Sequence, residues 1–216
     1  MPQFKDIQQS IRDNYKKIEG GAGANDRFHS WEHCYAFFRK CKPAGIAAQR
    51  DHAALQLGFY LASWGMYRAS GFLLDYDYTA HLTVVDCLGA PPFLPLWKSG
   101  FGAGEEDREL VLEASEAVRK AYKPIGEATD TLVTKVILGT FGCLPACDRF
   151  FVKGFKRKGF KFSRLNAPFV DQVLRFCHDH LGELQEEQAR IKGDSGKHYP
   201  LMKLIDMYFW QIGSTT

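Results

Sequence analysis

The chain has 216 residues, 45% of them hydrophobic and 14% aromatic, which excludes a disordered segment and suits one domain or two lobes sharing a core. Its net charge of +3 and pI near 8.5 are too mild to imply a nucleic-acid partner, so the placement of charge carries more than its total. Six cysteines in a chain this long, with no positively charged leader before an apolar core, predict reduced thiols and a cytoplasmic protein.

Phe4 to Glu19 places Phe4, Ile7, Ile11, Tyr15 and Ile18 at three- and four-residue steps, the pattern of an amphipathic helix. Gly20-Gly21-Ala22-Gly23-Ala24 ends it as a flexible joint. No Gly-Lys-Ser/Thr follows that run and no strand precedes it, so it is not read as a nucleotide loop. A second helix should start at Ser30 as N-cap and stop at Pro43-Ala44-Gly45. The third, Arg50 to Ser70, is apolar almost all round. Gln56, Ser63 and Arg68 interrupt the apolar stretch, so a buried central helix is expected rather than a membrane span.

Tyr76 to Leu88 reads as helical, and Pro91-Pro92-Phe93-Leu94-Pro95 as irregular. Lys98 to Gly104, with three Gly, forms a second joint. Glu105-Glu106-Asp107 sets acids in the first turn of a helix reaching Tyr122. Thr129 or Asp130 caps the next helix, Asn166 starts a long one to Lys192, and Pro200 opens the last. Nothing alternates at period two. The expectation is an all-α chain of about nine helices, a single domain over 1–216, with two loosely divided lobes around one cleft and a division near 98–104.

Thr129 to Arg164 carries the strongest functional pattern. An apolar helix breaks at Gly139 and Gly142, turns through Cys143-Leu144-Pro145-Ala146-Cys147 and delivers a lone acid, Asp148. From Arg149 to Arg164 there are seven Lys or Arg, five Phe and no acid. Asp148 has two readings, a cap on the following helix or a carboxylate at the mouth of a cleft that activates water or stabilises a developing cation. Arg149, Lys153, Lys156, Arg157, Lys158 and Lys161, interleaved with phenylalanines, suit a phosphate backbone, and their bland alternative is a solvated helix face over buried rings.

This order of apolar helix, Gly, Pro, Asp and positively charged helix resembles the end of the helix-hairpin-helix motif in the HhH-GPD superfamily of DNA glycosylases, over about Pro124 to Gly159. The resemblance implies an all-α, two-lobed fold that binds DNA, with Asp148 as the cleft carboxylate, N-glycosidic cleavage of an extruded base and no cofactor. Ile125-Gly126-Glu127-Ala128-Thr129 would be the hairpin. Only Gly126 survives of the family's Leu-Pro-Gly-Val-Gly, and Pro145 stands three residues before the acid rather than two. Bifunctional members carry a lysine on the hairpin itself, whereas Lys135 lies nine residues past Gly126, which makes it a poor match for that nucleophile.

A second all-α family, the HEPN ribonucleases, uses Arg, four to six residues, then His. Arg27 to His33 and Arg175 to His180 are similar to that spacing. Cys143, Cys147, Cys177, His178 and His180 supply soft ligands, but Pro145 interrupts the cysteine pair and the histidines point apart, so no metal is expected. Arg68, with Asp75, Asp77 and His81 nearby, reads as a structural ion pair or as pocket lining. Trp64 and Tyr67 are placed to wall such a pocket for a flipped base. The reading is a DNA- or RNA-binding protein using residues 149–164, glycosylase-like if catalytic. Its rivals are a non-enzymatic helical binding or interaction module and a HEPN-like ribonuclease.

Overall fold

Residues 130–140 are apolar apart from three threonines, Asp130 and Lys135, and a helix with so little polar face must be surrounded. In the computed structural model, which describes residues 6–19, 28–69, 71–98 and 105–215, that helix is central. Every residue from Leu132 to Thr140 is buried. Ten α-helices occur among the described residues: α1 (Ile7–Glu19), α2 (His29–Ala48), α3 (Arg50–Ser63), α4 (Leu82–Leu88), α5 (Glu105–Tyr122), α6 (Asp130–Thr140), α7 (Arg149–Arg157), α8 (Ala167–Asp179), α9 (Leu181–Ser195) and α10 (Leu201–Ser214). Helices α2, α3 and α5 surround α6, while α7 lies along α10. The described residues contain no strand, and no helix among them is long and apolar enough to cross a membrane. The joint at 20–24 and residues 99–104 of the expected lobe division lie outside the described residues.

Several boundaries differ from the sequence expectation, each for a local reason. Helix α2 starts at His29, with Ser30 buried inside it. It runs past Pro43 to Ala48 because Ile46 is buried and the Gln49 N–H donates to the carbonyls of Gly45 and Ile46. Helix α3 stops at Ser63, since Gly65 takes a positive φ of 76° and turns the chain. Residues Pro91–Trp97 form a 3-10 segment that buries Phe93, Leu96 and Trp97. The long helix expected from Asn166 splits at His180, whose φ of −119° and ψ of 23° separate α8 from α9. Tyr78–His81 is a 3-10 turn ahead of α4, capped by the Asp77 side chain.

The packing of α7 on α10 fixes the geometry that matters most. Gly154 and Gly213 face each other's backbone: a Cβ on Gly154 would sit 1.9 Å from the Phe209 carbonyl oxygen, and one on Gly213 would sit 1.8 Å from that of Phe150. Only glycine allows this approach. Around the crossing, Phe151, Phe155, Phe160, Phe169, Phe176 and Phe209 form a cluster of edge-to-face and stacked rings.

Candidate functional site

The turn between α6 and α7 is held from both sides. From α6, the Thr131 hydroxyl donates to the Cys147 carbonyl (2.8 Å) and Thr134 Oγ1 accepts from the Cys147 N–H (2.8 Å). From α10, Asp206 Oδ1 accepts from the Ala146 N–H (3.1 Å). Asp130 anchors the same region by accepting from Arg119 and from the Leu165 N–H (2.7 Å). Helices α6 and α10 therefore place Asp148 before its own chemistry is considered.

Asp148 is the N-cap of α7: its Oδ1 accepts from the N–H groups of Phe150 (2.9 Å) and Phe151 (3.0 Å). The expected cap is present, and it occupies one oxygen. The other, Oδ2, lies 3.7 Å from Nζ of Lys135, beyond hydrogen-bond reach but close enough for strong attraction. Lys135 is 3% exposed, and its ammonium stands 4.9 Å from the centre of the Trp64 ring. Burial pushes the Lys135 ammonium below the usual lysine range. The charges of Asp148 and Asp206 oppose that shift, while Lys203 and Arg68 add to it.

Lys135, Asp148, Trp64 and Arg68 border one cavity of about 390 Å³, together with Thr131, Arg149, Phe150 and Trp210. A second cavity, of about 480 Å³, shares Gly65, Met66 and Arg68 with it and continues to Phe72 and Thr129. Behind Trp64, a buried pair from α10 completes the charge arrangement: Lys203 Nζ bonds Asp206 Oδ2 (2.9 Å) and lies 5.5 Å from Trp64 and 5.0 Å from Trp31. The rim carries Arg68 and Arg149, both exposed.

Four of the residues singled out by sequence, Asp148, Arg149, Trp64 and Arg68, thus meet at one cavity. Tyr67 does not line it; its hydroxyl bonds Nε2 of His81 (2.6 Å). Arg68 is exposed at the cavity rim rather than buried in an ion pair. In the basic segment, Lys153, Lys156 and Lys161 are exposed, whereas Lys158 is half-buried with its ammonium 5.7 Å from the Tyr208 ring. Arg157 donates to the carbonyls of Ile212 (2.8 Å) and Thr215 (2.7 Å), closing the C-terminal end of α10. Of the interleaved rings, Phe151 and Phe155 are core and Phe160 and Phe162 pack on it, while Phe150 reaches the cavity.

Sequence reasoning set Lys135 aside as a poor match and missed Lys203 and Asp206 altogether. Their signal was present: Lys135 is the one cation in the apolar run of α6, and Lys203 and Asp206 stand three residues apart in that of α10, and a buried charge needs a partner or a task. For the ribonuclease spacings, Arg27 lies outside the described residues. Arg175 and His180 share a cavity of about 420 Å³ with Lys158, and Glu183 holds His180 Nδ1 at 2.9 Å. All six cysteines are free thiols, and no group of three or more His, Cys, Asp or Glu among the described residues is placed to hold a metal. No protein-family model, curated protein or solved structure matches the chain, so its chemistry rests on its own residues.

Proposed function

We propose that this chain is a cytoplasmic nucleic-acid-binding protein, and more specifically a DNA glycosylase-like hydrolase that cleaves the N-glycosidic bond of an extruded base. The observation that carries the reading is Lys135 beside Asp148 in one aromatic-walled cavity shared with the start of the basic helix α7. In this reading two loosely divided lobes meet at the cavity, α3 and the turn after it on one side and α6, α7 and α10 on the other. Trp64, Phe150 and Trp210 supply faces and edges for a flat base, and a volume near 390 Å³ is within the range of small-molecule sites. Arg149, Lys153, Lys156 and Lys161 follow the phosphates of the strand outside.

Chemistry follows from the two charged groups. As the bond between the sugar C1′ and the base nitrogen breaks, the base leaves with the electron pair and C1′ becomes cationic. Asp148 Oδ2 stabilises that cation or takes a proton from the attacking water, whose oxygen then bonds C1′. The Lys135 amine is the competing nucleophile. Its ammonium first passes one proton to Asp148; the freed lone pair then bonds C1′ as the base leaves, and a second nitrogen proton goes to the ring oxygen as the C1′–O4′ bond opens, leaving an iminium that borohydride reduces to a stable crosslink.

The test is single-turnover release across duplexes with damaged or modified bases, run with and without borohydride. Asp148→Asn keeps the cap, since Asn caps about as well as Asp, and should fold and bind normally. Base release should fall by ~10²–10³, the size of effect seen when a key electrostatic interaction is removed. An equally active Asp148→Asn variant would remove this residue from the chemistry. A wild type inactive on every duplex would favour the non-enzymatic binding module. The ribonuclease reading has one observation in its favour, the cavity shared by Arg175 and His180, and replaces ours if the protein cuts RNA and His180→Ala abolishes it.

A further inference from the structure

A cavity of about 600 Å³, larger than either of those beside Arg68, lies on the other side of Trp31 and plays no part in the proposed reaction. One wall is a face of α2: His29, Glu32, His33, Ala36 and Arg39 recur at three- and four-residue steps, so their side chains share one side of the helix. The opposite wall is the turn after α9, where Gly196 takes a φ of 70° and swings Lys197, His198 and Tyr199 across to α2.

Its charges are arranged in a definite way. Glu32, the one carboxylate in the lining, is buried and already engaged at both oxygens. Oε1 accepts from the Tyr199 hydroxyl (2.5 Å), and Oε2 takes the Lys197 ammonium and pairs with His29 Nδ1 (2.8 Å). That network fixes the cavity wall and neutralises the single negative charge. Arg39 remains, tied to the Trp97 carbonyl by one guanidinium nitrogen (2.5 Å), with His33 and His198 alongside it. His198 is held below the usual histidine range by burial and then by the charges of Arg39 and Lys192, which reports a positive field in that corner. Tyr35, Trp31 and Ala36 make the remaining lining apolar.

We propose that this cavity binds an organic phosphate monoester, the phosphate held by Arg39, His33 and His198 and the organic part lying along Trp31 and Tyr35. A guanidinium and an imidazole from α2, faced by a second imidazole from the turn after α9, suit an anion that accepts from several directions, and the volume far exceeds that of a bare phosphate. Two sources share that chemistry, a mononucleotide and the 5′-phosphate end of a nucleic acid.

Titration calorimetry with AMP, adenosine and inorganic phosphate tests the site in the full chain. AMP should bind and adenosine should not, with inorganic phosphate weaker than AMP. His198→Gln and His33→Gln should each weaken AMP by ~10-fold, the worth of one charge-assisted hydrogen bond. Arg39→Gln should weaken it more. It also loses the bond to Trp97, so the two histidine variants keep the test valid if that one fails to fold. A 5′-phosphorylated oligonucleotide that outcompetes both AMP and its 5′-hydroxyl twin would assign the strand end as the source, and the reverse order would assign the mononucleotide. AMP and adenosine binding alike, or AMP binding untouched by both histidine variants, would overturn the proposal.

Discussion

Two buried titratable side chains, His81 and Lys135, sit in the same core and are treated in opposite ways. His81 is fully buried, and both ring nitrogens are engaged at short range, Nδ1 with the Tyr122 hydroxyl (2.7 Å) and Nε2 with that of Tyr67 (2.6 Å). Burial lowers its pKa to about 4, so it is neutral at ordinary pH and complete as it stands. Lys135 is as deeply placed, yet its nearest carboxylate oxygen is 3.7 Å away, its other neighbour is a ring face, and it borders open volume. A satisfied buried group stabilises a fold. One held in place but left short of a full set of bonds beside a cavity is a candidate functional group.

The sharpest way to break that comparison is Lys135→Met. Its charge partner Asp148 keeps the cap of α7, and an apolar residue of similar length suits the surroundings of Trp64 and α6. Thermal stability should fall, since Asp148 loses its charge partner, but by less than the ~3–5 kcal/mol of a fully buried broken pair because Asp148 keeps both N–H bonds of its cap. Base release and any borohydride crosslink should be lost, by at least ~10²-fold for release. A destabilised variant that retained full activity would make Lys135 another His81.

His81→Leu should show the converse, a loss of ~1–3 kcal/mol in denaturant unfolding as the Tyr122 hydroxyl is left without its partner, with activity per folded molecule unchanged. Its pH signature is separate. In the wild type the unfolded chain takes up a proton on this histidine near pH 6.5, while the folded chain resists until about pH 4. The unfolded state binds more protons in that window, so stability rises with pH. The contribution is fully present above pH 6.5 and falls by roughly 3 kcal/mol towards pH 4. His81→Leu should flatten that part of the profile, and an unchanged slope would assign it to other groups.

What the sequence made legible follows from the same contrast. The all-α class, the Thr129 and Asn166 caps and the capping role of Asp148 are local, and a single chain displays them. Trp64 and Arg68 line one cavity, although α3 ends before them and the cavity is finished by Asp148, Phe150 and Trp210, far along the chain. Lys135 and Asp148 are thirteen positions apart and meet because Gly142, at a φ of 71°, reverses the chain and Thr131 and Thr134 hold the returning turn. That closure is tertiary, so spacing measured along the chain from Gly126 could not show that Lys135 lies beside Asp148. His81, grouped in sequence with Asp75 and Asp77 around the ion pair expected of Arg68, instead takes as partners tyrosines 14 residues before it and 41 after it.

The smallest effect expected is on the exposed face, where neither residue of the comparison is involved. Arg157 cannot be used to probe it, because its guanidinium closes α10 and its loss would act through folding. Lys158 is half-buried against Tyr208 and is equally unsuitable. Lys153 and Lys156 are exposed on α7 and have no such duties, so Lys153→Glu with Lys156→Glu changes charge with little structural consequence. Thermal stability should match the wild type. DNA affinity should fall several-fold at low salt, and the slope of log affinity against log salt should shrink by about two, one for each phosphate no longer neutralised. Equal slopes in the two proteins would remove this face of α7 from the interface while leaving the Lys135 and Asp148 cavity untouched. A flattened slope together with normal base release from a short single strand would separate holding the polymer from acting on the base.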